Sequence, residues 1–302
     1  MRIFITGGTG YIGSAIVREL ASAGYEVTAL ARTADKAARL ERVGAAALEG
    51  NLHDPSTYQS AAADQDWLIH AAMDYTAEPA DTVKGDAIAI EALLSAAAEG
   101  QVAGLVYTSG CWVMGDTAGN TVDEDSPVNP HEIVAWRPAH EEMVLAGATD
   151  ALATSVIRPG MVYGGTGSLT ASFFTTAEED GAAAYVGDGE NHWSMVHRSD
   201  LARLYRIVME EHARGIFHGV DGHPVRVKDI AHAASEAVGV GGFTRSIPVE
   251  QAREQMGLMA DTICMDQLLA AHRSAELGWR ARLTSFPDHA EEAYRELKAA
   301  RH

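Results

Sequence analysis

The chain has 302 residues, 47% apolar and 22% charged, enough for one large α/β domain and a smaller lobe. Its net charge of −19 argues against a nucleic-acid partner or an anionic membrane surface, because both need a basic footprint. Two distant cysteines, Cys111 and Cys264, form neither a metal cluster nor a disulfide framework, and they point to a reduced, cytoplasmic protein. No run approaches the ~18 apolar residues of a membrane span, and no signal core precedes the first strand. The thirteen histidines show no HxxH spacing with a carboxylate partner, so no metal is expected.

In chain order, RIFIT reads as a strand and YIGSAIVRELASAG as a helix. Between them Gly7, Gly10 and Gly13 form GxxGxxG. The first glycine permits a tight turn, the second lets backbone approach a pyrophosphate, and the third lets the helix pack on the sheet. The helix N-terminus then offers N–H groups and partial positive charge to the phosphates. The loop from Gly7 through Thr9, Gly10, Tyr11 and Ile12 to Gly13 is therefore expected to hold a dinucleotide. YEVTALA is the second strand. An acidic residue at its end would bind the ribose 2′-hydroxyl of NAD. Here Ala31 is followed by Arg32, with Lys36 one turn on, and this pair suits a 2′-phosphate, so NADP is expected.

The alternation continues with the helix ADKAARLERVG, the strand AAALEGN, the helix PSTYQSAAAD and the strand DWLIHAA. A long Ala/Leu-rich helix covers about residues 81–99, and GLVYTSG is the fifth strand. PHEIVAWRPAHEEMVLAG reads as a helix and LATSVIRPG as the sixth strand. Strands alternating with helices imply a doubly wound parallel sheet, the Rossmann arrangement, over residues 1–164. Residues 165–302 read mainly as a smaller α+β substrate lobe, with some segments returning to the first domain. There, Ser199 and Asp200 suit a helix N-cap, and VKDIAHAASEAVGV is an amphipathic helix ended by glycine.

The ordered series TGGTGYIG, EGNLHD, WLIHAA, LVYTSG, VIRPGMVYGG, GDGENHWSMVHRSDLARL and LGW resembles the extended and atypical short-chain dehydrogenase/reductases, the NAD(P)-dependent epimerase/dehydratase-like family. The resemblance covers nearly the whole chain. It implies a small-molecule substrate and a homodimer built from two helices of each partner. By position it places Asn51 and Leu52 by the adenine, and Ala71, Ala72 and Met73 along the cofactor after strand four. It places Pro159, Gly160, Met161 and Val162 at the nicotinamide, and His192, Trp193, Val196 and His197 on a substrate-facing stretch. Asp86 falls where the family commonly has Asn.

The family's acid is a Tyr, supported by a Lys four residues later and by a Ser at the end of strand five. The register set by EEMVL puts Ile133 at the Tyr position and Arg137 at the Lys position. Ile133 carries no proton, and Arg137 can hold a ribose but cannot be deprotonated. Pro138 would break the helix unless it lies in the first turn. Ser109 is expected to stand in for the family's Ser, or Gly110 takes that place with Cys111 beside it. His131, Asp74, Tyr75 and Tyr163 are other groups that could move a proton. Ser109, Arg137 and His131 are the catalytic candidates. Phe173, Phe174, Trp193 and Met195 hint at a largely apolar substrate.

Three readings follow. The first is an NADP-dependent oxidoreductase acting on a carbonyl, alcohol or imine with a non-standard acid/base group. The others are a redox-neutral epimerase that retains NADP, and a non-catalytic NADP sensor.

Overall fold

The computed structural model describes residues 1–74 and 78–301. Its first part alternates β1 (Arg2–Thr6), α1 (Tyr11–Ser22), β2 (Glu26–Ala31), α2 (Ala34–Glu41), β3 (Ala46–Glu49), α3 (Gln59–Ala63), β4 (Trp67–His70), α4 (Pro79–Glu99) and β5 (Gly104–Thr108). Then come β6 (Thr121–Val122), α5 (Arg137–Ala146), β7 (Ala153–Pro159), β8 (Met161–Tyr163), α6 (Ala171–Asp180), β9 (Ala183–Val186), β10 (His192–Trp193), β11 (Met195–His197), α7 (Arg198–Glu210) and β12 (Gly215–Gly219). A seven-stranded Rossmann sheet runs in the order β12-β7-β5-β4-β1-β2-β3. The β1–β2, β1–β4, β2–β3, β4–β5 and β5–β7 pairings are parallel. The order reverses at β1, so the crevice beyond β1 and β4 is where such a sheet binds ligands.

The strands hold because their side chains are buried on both faces: Ile3, Phe4 and Ile5 of β1 and Leu68 and Ile69 of β4 are wholly buried. Ala89, Ile90, Leu93 and Ala96 of α4 close over this sheet with Tyr58, Leu105 and Val156. The small alanines let the long helix lie close to the strands.

The chain divides into two compact units whose segments alternate along the sequence, residues 202–217 returning to the first and residues 110–135 belonging to the second. Unit 1 holds Met1–Ser109, Trp136–Arg158 and Ala202–Phe217; unit 2 holds Gly110–Ala135, Pro159–Leu201 and the chain from His218 onward. Unit 2 has its own core, in which Phe173, Phe174, Trp193 and Met195 are all buried. These four side chains pack against each other and their neighbours, so their apolar character reports the core and not a ligand.

Two local expectations change. The helix expected over PHEIVAWRPAHEEMVLAG begins only at Arg137, after a 3₁₀ turn at Glu132–Val134. Pro138 thus lies in the first turn, where its missing N–H costs nothing. Likewise α7 begins at Arg198, and Asp200 is no cap: its carboxylate accepts the backbone N–H groups of Arg282 and Leu283, both at 2.9 Å. The amphipathic helix Val227–Val238 ends as expected at Gly239, in the left-handed region. Among the described residues no helix is long and apolar enough to cross a membrane.

Candidate functional site

The glycine loop forms the upper edge of unit 1. Gly7 has φ +77°, and a Cβ there would stand 2.4 Å from the Ala71 carbonyl oxygen. A Cβ on Gly13 would stand 2.1 Å from the Gly7 carbonyl oxygen. Both clashes are with backbone, so only glycine lets β1, the loop and α1 come this close. Gly10 is the N-cap of α1 and brings no capping side chain, which leaves the first turn of the helix to face a ligand. Thr9, Tyr11 and Ile12 are partly accessible along this loop. The residues present fit a dinucleotide diphosphate.

At the end of β2 the Arg32 guanidinium lies 2.8 Å from the Asp74 carboxylate, and His53 stands 3.7 Å from the same oxygen. Lys36 lies in the first turn of α2, which Thr33 caps by accepting the Lys36 backbone N–H. Asn51 serves a local turn: its side chain accepts the His53 N–H at 3.1 Å, and its own N–H donates to Thr57. Leu52 is a core residue beneath that turn. Ala71, Ala72 and Met73 are partly accessible after β4, and the Ala71 N–H extends the ladder to Thr6. Tyr75 lies outside the described residues.

Below this edge is a buried polar row. Thr6, His70 and Tyr107 are register partners across β1, β4 and β5. Thr6 Oγ1 lies 2.6 Å from His70 Nδ1. Above the row Asp86 of α4 accepts the Tyr107 hydroxyl at 2.8 Å and faces His140 Nδ1 of α5 at 2.7 Å. His70 Nε2 stands 3.2 Å from its other oxygen. Burial raises the Asp86 pKa, but the two imidazoles and the Arg137 charge outweigh it and hold the carboxyl well below its usual range. Burial, with the Asp86 charge, pushes the Tyr107 phenol well up, so it stays a neutral donor.

Beside the row, Arg137 Nη1 donates to the Thr108 carbonyl at 3.2 Å, and the Thr108 hydroxyl pairs with the buried Tyr205 hydroxyl at 2.7 Å. Burial raises the Tyr205 pKa as well, so that phenol is no acid near neutral pH. Ser109 is buried and gives its one proton to the Glu141 carboxylate, which also pairs with buried Arg158 at 2.5 Å. In this arrangement the Ser109 donor serves the ion pair. In unit 2, His131 caps the Glu132–Val134 turn: its Nδ1 faces the Ile133 N–H at 3.5 Å and the Thr262 hydroxyl at 3.0 Å. Ile133 itself is in that turn. Among the described residues no group of three or more His, Cys, Asp or Glu could hold a metal, the His70, Asp86 and His140 set included.

Residues 3–218 match the NAD dependent epimerase/dehydratase family. The chain belongs to this family. A protein of Schizosaccharomyces pombe is 32% identical over 301 residues, 97% of this chain and 100% of its own length. A Stigmatella aurantiaca ketoreductase that acts on a farnesylated dihydroquinoline oxide is 27% identical over 261 residues, covering 84% of this chain and 78% of its own. Among solved structures, the human epimerase family protein determined with NADPH matches with a TM-score of 0.80 at 19% identity, over 98% of this chain and 100% of that one. At this identity the likeness concerns the fold.

Family membership brings a nicotinamide cofactor and small-molecule chemistry. In this epimerase/dehydratase-family chain the other carried-over positions lie in unit 2. A Cβ on Gly160 would stand 2.3 Å from the Ser194 carbonyl oxygen, so the glycine lets Pro159–Val162 run close against the backbone at Ser194, between β10 and β11. Met161 is buried there and Val162 half-buried. His192 Nδ1 lies 2.8 Å from Asp266, Trp193 Nε1 donates to the Ile263 carbonyl, and Val196 is wholly buried. His197 is buried, hydrogen-bonded to Ser199, and stands 3.4 Å from Glu296. These bonds fix the stretch within unit 2, and His192 keeps a third of its side chain exposed. Tyr163 packs, with its hydroxyl on the Leu283 carbonyl. What residue-by-residue reading missed is the joining of Asp86, His70 and His140. The one signal was His140, a turn beyond Arg137 on the same helix.

Proposed function

We propose that the protein is an NADP(H)-dependent oxidoreductase acting on a carbonyl, alcohol or imine of a small molecule, with a non-standard acid/base group. The observation that carries this reading is Arg32, a cation at the end of β2 beside a glycine cradle, where an NAD-dependent chain would place a carboxylate. The ketoreductase relative and the human neighbour determined with NADPH support it. Two cysteines that form no disulfide support a reduced, cytoplasmic setting, and the family resemblance supports a homodimer. The buried Phe173, Phe174, Trp193 and Met195 withdraw the argument for an apolar substrate.

When bound, the nicotinamide supplies or accepts the hydride. The glycine loop and the start of α1 would hold the diphosphate, and Arg32 and Lys36 the 2′-phosphate. Asn51, Leu52, Ala71, Ala72 and Met73 would line the adenine side and the middle of the cofactor, and Pro159, Gly160, Met161 and Val162 its nicotinamide end. Arg137 would hold the nicotinamide ribose hydroxyls and keep its charge throughout. His131 has Nδ1 within 3.0 Å of the Thr262 hydroxyl, which leaves Nε2 to take a proton from an alcohol or, as imidazolium, to give one to a carbonyl oxygen. This gives His131 the role that Ile133 cannot fill.

Calorimetry with NADP⁺ and NAD⁺ tests the reading. NADP⁺ should bind at least ~tenfold tighter, and Arg32→Glu should cancel that preference, a loss of about 1.5–3 kcal/mol for a charge-assisted phosphate contact. Equal binding of both dinucleotides by the parent protein would overturn the cofactor assignment. Absence of NADPH oxidation across ketones, aldehydes and imines, despite tight binding, would overturn the reaction.

A further inference from the structure

Unit 1 holds a carboxylate for which the proposed reaction has no use. Asp86 is 2% exposed, and its ion-pair partners among the described residues are His70 and His140, with no Lys or Arg. A carboxylate taken from water is strongly disfavoured unless donors replace the solvent. Asp86 has hydrogen-bond partners on two elements, Tyr107 of β5 and His140 of α5, and the His70 imidazole of β4 stands 3.2 Å from its other oxygen. His70 precedes Ala71 and His140 lies one turn beyond Arg137, both of the proposed cofactor edge, and Tyr107 precedes Thr108, whose carbonyl accepts from Arg137.

From His140 the contacts continue toward Arg137. The imidazole meets the Trp136 ring edge-on, with centroids 4.8 Å apart. On the same indole the Arg137 guanidinium carbon stands 4.7 Å from the ring centroid. Arg137 makes one hydrogen bond, to the Thr108 carbonyl, and has no carboxylate within ion-pair distance among the described residues. One bond does not orient a planar group that has five donors. The indole face supplies the second constraint, His140 braces the indole, and Asp86 fixes the imidazole.

We propose that Asp86, acting through His140 and Trp136, is a positioning residue for Arg137 and sets how tightly unit 1 holds the nicotinamide half of the cofactor. The inference rests on the NADP(H) reading above. It also accounts for an arginine at this place, since a flat guanidinium lies along an indole in a way that an ammonium does not.

The test uses the full chain and two ligands, NADPH and adenosine 2′,5′-bisphosphate, which is the phosphorylated adenylate half alone. Asp86→Asn and Trp136→Ala should each weaken NADPH binding ~tenfold, the scale of a desolvated cation–π contact, and leave the bisphosphate affinity within about twofold. Trp136→Phe keeps an aromatic face and should recover most of the loss. If Asp86→Asn does not fold, the two Trp136 variants still decide the matter. Unchanged NADPH affinity in Trp136→Ala, or equal losses for both ligands, would overturn the proposal, because a general loosening of the unit weakens both. A parent protein that binds neither ligand overturns the NADP(H) reading itself, and this inference with it.

Discussion

Ser109 shows how a residue's partner decides its work. In sequence it stands at the end of strand five, where the family places a working hydroxyl. In the structure the hydroxyl donates to Glu141, and Glu141 is also the counter-charge of buried Arg158. Removing Glu141 would take the carboxylate counter-charge from a guanidinium that is 2% exposed. Glu141→Ala should therefore cost about 3–5 kcal/mol in denaturant unfolding. Ser109→Ala removes one hydrogen bond and should cost about 1–2 kcal/mol, with kcat unchanged. A fall in kcat of a hundredfold or more in Ser109→Ala, without a matching change in stability, would restore its catalytic role. The three glycines were legible at this scale, because tight turns and close backbone approach are demands on single residues. The pairing of Asp86 with His140 was not, since the two lie 54 residues apart.

At the scale of elements, sequence periodicity located the strands and most helices, while the ends were set by partners. Asp200 looks like a cap, yet it fastens the backbone at Arg282 and Leu283. Asp221, just beyond β12, does the same: its carboxylate accepts the N–H of Ser285 at 3.0 Å and of His223 at 2.8 Å. Burial pushes the Asp221 carboxyl from an ordinary 3.8 up to about 6, and the two N–H groups only partly offset this. The folded state therefore binds this proton more tightly than the unfolded chain does. The resulting stabilisation is complete below about pH 4 and is lost as pH rises through about 6. Above that, the ionised buried carboxylate costs on the order of 3 kcal/mol relative to its protonated form. Asp221→Asn cannot ionise. Its stability relative to the parent should rise by about 2–3 kcal/mol between pH 4.5 and 7.5 in urea unfolding. A pH-independent difference between the two proteins would show that Asp221 titrates normally.

For the whole molecule, the chain order of the segments matters more than their composition. Residues 110–135 and 159–164 belong to unit 2, while 202–217 rejoin unit 1. A strand such as β7 begins in one unit and ends at the boundary of the other, and no change in composition marks that crossing. The net charge of −19 keeps the surface self-repelling, so association needs a specific face. If the homodimer proposal is right, sedimentation at low micromolar concentration and physiological salt should give twice the chain mass of 32.1 kDa. Sedimentation at the single-chain mass would remove it.

The class of fold, the glycine spacing and the absence of a tyrosine between Tyr107 and Tyr163 are legible in the sequence alone, because each rests on spacing along the chain. Helical and strand periods, glycine intervals and the identity of the residue at a motif position are local. The engagement of Ser109, the burial of the lobe's aromatic residues and the brace from Asp86 to Arg137 emerged only on folding. Each depends on which side chains the sheet register and the helix packing bring within hydrogen-bond distance, and one-dimensional spacing carries no record of such distant pairs.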